Sequence, residues 1–241
     1  MRYWIITGSS KGLGKALAEI LLKDSNNVVY GISRSNTIEH PNFHFLKTDL
    51  SDTNQLIDFQ FPDLIIPEKL NPELIVLINN AATLGAIKYA GDLENATIIT
   101  AQTLNIIAPH ILMNGFIKKY HKENAVLKVI VNITSGAASS PYDGWSIYGS
   151  GKAAMDMMTQ IAAKETELRK QNFKIVAISP GVMDTGMQNQ VRNAEPDNFS
   201  RLGKFENLAS ENKLVSPTIA AGKLIDRILN PYLLTETISR L

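Results

Sequence analysis

The chain has 241 residues, 44% of them hydrophobic, which is enough apolar material for one large α/β domain. Its 24 basic and 23 acidic residues leave a net charge of +1, which gives no field for binding nucleic acid or an anionic membrane surface. The absence of cysteine excludes disulfides, thiol nucleophiles and cysteine-ligated metals, and is compatible with a reducing cytoplasm, the compartment we expect. The longest apolar runs, such as residues 74–78, are shorter than a membrane span.

Apolar runs typical of strands alternate with helix-like stretches along the whole chain. Strands are predicted near residues 2–7, 27–32, 43–47, 74–79, 126–133 and 173–179. Helices are predicted over residues 12–24, 52–60, 93–99, 101–121, 146–170 and 217–230. Because several strands are almost entirely apolar, as parallel strands buried on both faces are, the pattern predicts a doubly wound, mostly parallel sheet flanked by helices on both faces.

The first strand leads into a glycine-rich turn, residues 7–14, and then into a helix. A strand, a glycine turn and a helix in this order are typical of dinucleotide binding, although an ordinary connecting loop is the alternative. Gly8 would allow the sharp turn, Gly12 would let a diphosphate approach the backbone, and Gly14 would permit close packing of helix on strand. Free N–H groups at the start of the helix would then face the phosphates.

Residues after the second and third strands bear on the choice of dinucleotide. A cofactor without a 2′-phosphate usually meets a carboxylate after the second strand, where this chain has Ser33 and Arg34. With Lys11 as a second cation, this favours NADP(H) over NAD(H), unless Arg34 is simply a solvated loop residue. After the third strand, Asp49 and Leu50 could contact the adenine edge, or Asp49 could cap the helix that follows.

Two further segments end at the same edge of the sheet, where open α/β sheets bind ligands. Asn79, Asn80 and Ala81 follow the fourth strand; the small side chain lets the backbone pass close to a ribose, and the amides can tie neighbouring strands together. Residues 134–138 follow the fifth strand and bring the Ser135 hydroxyl to the mouth of the cleft.

Tyr148 and Lys152, four residues apart in a predicted helix, place a phenol and an ammonium on one face. A phenol has a reference pKa of about 10 and needs ~4 kcal/mol of differential stabilisation to reach about 7. A cation ~4 Å away contributes about 4 kcal/mol at an effective dielectric near 20. The pair is therefore a suitable acid–base device, and Ser135, thirteen residues before Tyr148, is available to hold a substrate oxygen.

Pro109 lies within the helix predicted over 101–121 and has no N–H to bond the carbonyl of Asn105. We expect the helix to kink there and the freed carbonyl to hold a water between the Lys152 ammonium and solvent. A kink that serves packing alone is the alternative.

The helix predicted over 146–170 begins with small residues, among them Gly149 and Gly151. Each interior glycine costs roughly 1 kcal/mol relative to alanine, so a close approach to the cofactor or to a partner helix should compensate, and we expect a homodimer or homotetramer. Residues 186–216 are polar and weakly periodic, which predicts a mobile loop or short-helix excursion over an active site, or else surface decoration. The four histidines show no ligand spacing with carboxylates, so no metal site is expected.

In chain order, the glycine turn, Asn79-Asn80-Ala81, Asn105, Ser135, Tyr148-x3-Lys152 and Pro180-Gly181 resemble the short-chain dehydrogenase/reductase superfamily over almost the whole chain. The resemblance implies a single NADP-binding Rossmann domain over residues 1–241, with 186–216 as a substrate loop or lid. It implies that Tyr148 is the general acid and that Lys152 lowers its pKa and binds the nicotinamide ribose. Ser135 would orient the substrate carbonyl, and Asn105 would complete a catalytic tetrad.

The motifs and the resemblance together give a set of expected contacts. For the cofactor they are Gly8, Ser10, Lys11, Gly12, Leu13, Gly14, Arg34, Asp49, Leu50, Asn79, Ala81, Tyr148, Lys152, Pro180, Gly181, Val182 and Thr185. For the substrate they are Ser135, Trp145, Tyr148, Met183 and Met187. Trp145 and the two methionines would form an apolar, adaptable wall, or else serve packing alone.

Within the superfamily, residues 133–146 and 179–188 look like the sepiapterin reductase group, and most like its bacterial benzil reductases, which reduce a 1,2-diketone to (S)-benzoin. The implied function is NADPH-dependent reduction of a small-molecule ketone or 1,2-diketone. Sepiapterin reductases hold their pterin through an acidic residue near the C-terminus, where Glu236 is the stand-in here without a surrounding motif. The alternatives are a sepiapterin or pterin reductase, a nucleotide-sugar epimerase or dehydratase, and a non-catalytic NADP(H)-binding sensor.

Overall fold

The computed structural model describes residues 1–59 and 72–241 and contains one sheet of parallel strands in the order β3-β2-β1-β4-β5-β6-β7. The strands are β1 (Arg2–Thr7), β2 (Asn27–Ser33), β3 (Phe43–Lys47), β4 (Leu74–Asn79), β5 (Leu127–Ile133), β6 (Phe173–Ser179) and β7 (Ile238–Arg240). The first six match the predicted bounds to within one residue. Strand β7 was not predicted; it pairs in parallel with the end of β6.

The helices are α1 (Gly12–Leu21), α2 (Thr53–Ile57), α3 (Asn95–Gln102), α4 (Ala108–Tyr120), α5 (Ser146–Leu168), α6 (Gly186–Arg192), α7 (Leu202–Ser210) and α8 (Pro217–Leu229). Helix α2 is shorter than the predicted 52–60, and residue 60 lies outside the described residues. The Asp52 carboxylate caps α2 by accepting from the Asn54 N–H, so the alternative that Asp49 caps this helix is wrong. Asp49 instead accepts from the backbone and hydroxyl of Ser51.

Helices cover both faces of the sheet, and side chains alternate between two cores. Trp4 and Ile6 face the core shared with α1 and α8, whereas Tyr3 and Ile5 face the core shared with α4 and α5. This alternation follows from the period of two along a strand. The predicted single-domain α/β architecture is therefore confirmed.

The two helices predicted over 93–99 and 101–121 form one irregular run, because a π-helical segment, Thr103–Ile107, joins α3 to α4. The irregularity lies just before Pro109, where a distortion was predicted. By length and a mean hydropathy of 1.3, the run Asn95–Tyr120 could cross a membrane. In the folded chain it packs on the sheet through Leu112, Met113 and Phe116, as the core helix of a globular protein does.

Candidate active site

The glycine turn forms a cradle that depends on glycine at three positions, by backbone conformation at two of them and by lack of space at the third. Gly8 and Gly12 have positive φ of 69° and 56°, which favours glycine. A Cβ added to Gly14 would lie 2.3 Å from the Gly8 carbonyl oxygen, so helix α1 can pack against the turn only without a side chain there. The cradle fits the diphosphate of a nicotinamide dinucleotide at the start of α1.

The segment that follows β6 crosses the cleft toward this cradle. Pro180 is buried, and Gly181 has a φ of 84°. Thr185 reaches the cradle, since a Cβ added to Gly12 would be 3.5 Å from its methyl carbon. The segment predicted to approach the nicotinamide therefore lies next to the turn predicted to hold the diphosphate.

The two cations predicted to select a 2′-phosphate lie on the surface beside this cradle. Lys11 is exposed and directly precedes α1. The Arg34 side chain is 74% exposed, and its guanidinium lies 3.9 Å from the Asp49 carboxylate. The hydrogen bond from the Ser51 hydroxyl, and more weakly the charge of Arg34, lower the pKa of Asp49. Asp49, assigned to the adenine edge, thus lies beside the cation assigned to the phosphate.

Several residues predicted to contact the cofactor also pack in the core or form hydrogen bonds within the protein. Leu13 and Leu50 are buried in the two cores on opposite faces of the sheet. The Asn79 amide donates to the Asn132 side chain at 2.8 Å and so ties β4 to β5, as the sequence predicted. The backbone N–H groups of Asn80 and Ala81 both donate to the Thr7 hydroxyl at 2.9 Å, which ties the same segment to β1.

Ser135, Tyr148 and Lys152 converge where β5 ends and α5 begins. Ser135 accepts a hydrogen bond from the Ala137 N–H at 3.2 Å, and its hydroxyl adjoins the Tyr148 phenol. Tyr148 is buried in the first turn of α5, and the Lys152 ammonium lies 5.7 Å from the centre of its ring. The structure therefore brings the three side chains together, and their catalytic roles stay a prediction.

The expected acidification of Tyr148 by Lys152 is not seen in the protein alone. Burial raises the pKa of Tyr148, because the phenolate would lose water, and the Ser135 contact lowers it only in part. Burial also lowers the pKa of Lys152 to about 8, while the Asp156 carboxylate opposes that effect. The lysine amine donates to the Ile133 carbonyl at 2.6 Å.

Asn105 acts as a clamp through its side chain. Its amide oxygen accepts from the Thr83 N–H, and its amide nitrogen donates to the Thr83 carbonyl, both at 2.9 Å. A Cβ added to Gly151 would lie 2.9 Å from the Asn105 Cβ, so the close approach that compensates for this glycine is to a helix of the same chain. The water relay through the Asn105 carbonyl stays a prediction.

Tyr148 belongs to an aromatic cluster that also contains Tyr142, Trp145, Phe199 and Phe205. Trp145 is stacked between Tyr142 and Phe199, with ring centres 5.0 and 5.1 Å away, and meets Tyr148 edge-on at 5.6 Å. Phe199 and Phe205 come from the 186–216 segment and were missed in the sequence, although they are the two aromatic residues in that polar stretch. The segment is the short-helix excursion that was predicted as one alternative.

The predicted apolar wall divides between two places. Met187 and Val182 pack against the aromatic cluster, near Tyr148. Met183 packs instead against the core on the α1 and α8 side, and pairs in a β-bridge with Val215. This bridge closes the base of the 186–216 segment.

Asp143 joins the far end of that segment to the loop before α5. Its carboxylate accepts from the Ser200 N–H at 2.7 Å, the Ser200 hydroxyl at 2.8 Å and the Tyr89 hydroxyl at 3.2 Å. Beside it, a Cβ added to Gly144 would lie 2.2 Å from the Asn198 carbonyl oxygen. The segment is thus held in contact with the residues that lead to Tyr148.

Comparison with known proteins finds a family model and relatives that agree with one another. Residues 2–196 match the family model for short chain dehydrogenases. Benzil reductase ((S)-benzoin forming) of Bacillus cereus is 40% identical over 230 residues, covering 92% of this chain and 91% of the relative. Sepiapterin reductase of Rattus norvegicus is 31% identical over 242 residues, covering 92% and 88%. A short chain dehydrogenase/reductase structure from Saccharomyces cerevisiae, 23% identical, shares the fold with a TM-score of 0.83 over 100% of this chain and 96% of its own.

Proposed function

The chain belongs to the short chain dehydrogenase family, and we propose that it is an NADPH-dependent carbonyl reductase acting on a ketone or 1,2-diketone. The observation that carries the proposal is the convergence of the Ser135 hydroxyl and the Tyr148 phenol under an aromatic cover at the ligand-binding edge of the sheet. The family is one of oxidoreductases acting on carbonyl and alcohol groups. The branch that the motifs resembled is confirmed by the benzil and sepiapterin reductase relatives.

Each residue of the site has a separate task in this proposal. Bound NADPH supplies the hydride; the residues Gly8, Gly12 and Gly14 would hold its diphosphate. Ser135 and Tyr148 hold the substrate oxygen by hydrogen bonds, and Tyr148 gives its proton to that oxygen as negative charge develops there. The raised pKa of Tyr148 suits this direction, since the phenol is protonated and ready to donate at neutral pH.

The surroundings of Tyr148 support a bulky, apolar substrate. Trp145, Phe199 and Met187 provide aromatic and thioether surface beside the phenol. Benzil reductase activity in the relative that is 40% identical supports a 1,2-diketone with aromatic substituents. The 186–216 segment would act as the substrate lid that excludes water from the space beside the Tyr148 phenol.

We also propose that the protein forms a homodimer or homotetramer in the cytoplasm. Ile99 on α3 and Met157 and Ile161 on α5 expose 62%, 57% and 50% of their surface. These apolar side chains lie on neighbouring helices of one face, and burying them against another copy would remove apolar surface from water.

NADPH oxidation across a panel of diketones, pterins and quinones, repeated with NADH, tests the proposal. We expect turnover of benzil with NADPH, and a Tyr148→Phe variant that binds NADPH normally but turns over at least ~100-fold more slowly. A Tyr148→Phe variant that keeps full activity would contradict the assignment of Tyr148 as the general acid. Because sepiapterin reductases are also relatives, faster turnover of sepiapterin than benzil would identify a pterin reductase instead. A Tyr148→Phe variant with unchanged cellular function would favour the non-catalytic sensor.

A further inference from the structure

The Lys152 ammonium has little around it that stabilises its charge. The side chain is 2% exposed, and its amine donates a hydrogen bond to the Ile133 carbonyl. Burial lowers the pKa of Lys152 to about 8. An amine that titrates there is partly deprotonated near neutral pH, so a nearby anion decides how much of it stays charged.

Asp156 provides that anion. It lies four residues after Lys152 on α5, and therefore on the same face of the helix one turn away. Its charge raises the pKa of Lys152, and the charge of Lys152 lowers the pKa of Asp156 against the effect of burial. Within residues 1–59 and 72–241, no other charged side chain acts on either group.

Two oxygen atoms at this place are buried without a hydrogen-bond partner among the described residues. They are Oδ1 of Asp156 and the hydroxyl oxygen of Thr134, the residue directly before Ser135. Neither oxygen has another polar group of the described residues to replace its lost water, so the interaction between the two side chains matters. The Thr134 hydroxyl lowers the pKa of Asp156 and so favours the carboxylate form, against the effect of burial.

We propose that Asp156 is a positioning residue whose carboxylate keeps Lys152 in its ammonium form and thereby sets the pH range in which Tyr148 works. Thr134, on the neighbouring strand end, keeps that carboxylate ionised. The inference rests on the proposed function, because Lys152 acts on the reaction through Tyr148. It adds a third titratable group, deeper along α5, to the pair that the sequence motif identifies.

Asp156→Asn tests the inference, since it removes the charge and keeps the shape. We expect Lys152 to lose its proton at lower pH, so that the basic limb of the kcat/KM profile for carbonyl reduction moves down by about one pH unit. A second readout needs no turnover: the titration of the Lys152 amine itself, followed by NMR of its side-chain carbons and assigned with a Lys152→Met variant. The Lys152 amine should lose its proton at lower pH in Asp156→Asn, because the carboxylate that stabilises the ammonium is gone.

Matched variants separate charge from structure. Asp156→Glu keeps the charge and should restore the wild-type profile, whereas Asp226→Asn, exposed on α8 at the other face of the sheet, should leave it unchanged. If Asp156→Asn does not fold, Thr134→Val carries the test and should shift both readouts in the same direction by a smaller amount.

The outcomes distinguish this inference from the proposed function. Unchanged pH profiles and Lys152 titrations in Asp156→Asn, with a wild type that reduces carbonyls and an inactive Tyr148→Phe, would overturn the inference alone. A wild type that reduces no carbonyl would overturn the proposed function, and the Lys152 titration would still decide the role of Asp156.

Discussion

The Asp143 carboxylate holds Ser200 at two points, accepting from its N–H at 2.7 Å and from its hydroxyl at 2.8 Å. The two residues are 57 positions apart, and their contact joins the 186–216 segment to the loop before Tyr148. Hydrogen bonds to a carboxylate are stronger than those between neutral groups. This polar contact and the stacking between Trp145 and Phe199 both hold the 186–216 segment against the residues around the start of α5.

Asp143→Asn should loosen the 186–216 segment without unfolding the protein. Amide hydrogen exchange across residues 196–210 should become about 10-fold faster, since hydrogen bonds to a charged group contribute about 1.5–3 kcal/mol. Ser200→Ala, which removes one of the two bonds, should give a smaller increase. Asp197→Asn, exposed on the same segment, is the control, and an equal effect there would contradict a specific role for Asp143.

The same contact has a defined pH dependence. The hydrogen bond from the Ser200 backbone is the first cause that holds the pKa of Asp143 below its usual range. Because the folded-state pKa is depressed, the contact stabilises the segment above the ordinary carboxyl pKa of about 4 and is lost as the pH falls through the folded value. Hydrogen exchange in residues 196–210 should accordingly accelerate in acid in the wild type and much less in Asp143→Asn.

Local pattern was enough to predict most of the fold. Strands β1 to β6 are continuous apolar runs because both of their faces are buried, and such runs are visible without any tertiary information. Strand β7 has three residues at the edge of the sheet, two of them exposed, so neither length nor apolar pattern marked it. Pairing with β6, rather than its own sequence, makes it a strand.

In the candidate active site, too, local pattern was enough to predict some residues, whereas others depend on distant contacts. Ser135, Tyr148 and Lys152 were predictable because helix geometry and the end of β5 bring them together locally. Phe199 and Asp143 depend on contacts more than 50 residues away along the chain, which no local period encodes. Asp156 repeats the four-residue spacing of Tyr148 and Lys152, but spacing alone does not show that its carboxylate is partly buried and acts on the ammonium.

Lys152→Met should stabilise the fold while removing activity. Keeping an ammonium whose folded pKa is about 8, against a reference near 10.4, costs roughly 3 kcal/mol below pH 8, offset by the hydrogen bond to Ile133. That cost fades between pH 8 and about 10, because the unfolded chain binds the proton that the folded chain has released. The variant should thus exceed the wild type in unfolding free energy by about 1–2 kcal/mol at pH 7, and by less at pH 10.

Urea unfolding at both pH values, followed by tryptophan fluorescence, measures this difference. Lys223→Met, exposed on α8, is the matched control and should show no pH-dependent gain. A Lys152→Met variant that is less stable than wild type at pH 7, with no change toward pH 10, would contradict a charge-burial cost at this position.

Gly14→Ala and Gly222→Ala should act in opposite directions. An added Cβ at Gly14 meets the Gly8 carbonyl oxygen at 2.3 Å, and the backbone has no room to yield. At Gly222, inside α8, nothing lies within 4 Å of the added Cβ. We expect Gly14→Ala to lose more than ~2 kcal/mol of unfolding free energy together with dinucleotide binding, and Gly222→Ala to gain about 0.5–1 kcal/mol. Equal melting temperatures for the two variants would show that the cradle is looser than its geometry indicates.

Arg34→Gln should separate the two nicotinamide cofactors. The Arg34 side chain is 74% exposed, and its guanidinium lies 3.9 Å from the Asp49 carboxylate. An exposed ion pair of this kind contributes little to stability. A 2′-phosphate offers a doubly charged, bidentate partner, so the guanidinium should turn to it when NADPH binds. The KM for NADPH should rise at least ~10-fold in Arg34→Gln, the KM for NADH should change less than ~2-fold, and the fold should keep its stability.

Lys11→Gln should raise the KM for NADPH by a smaller factor, because a single ammonium bonds the phosphate as a point charge. Should the wild type use NADH better than NADPH, or both variants leave the NADPH value unchanged, these cations do not select the cofactor.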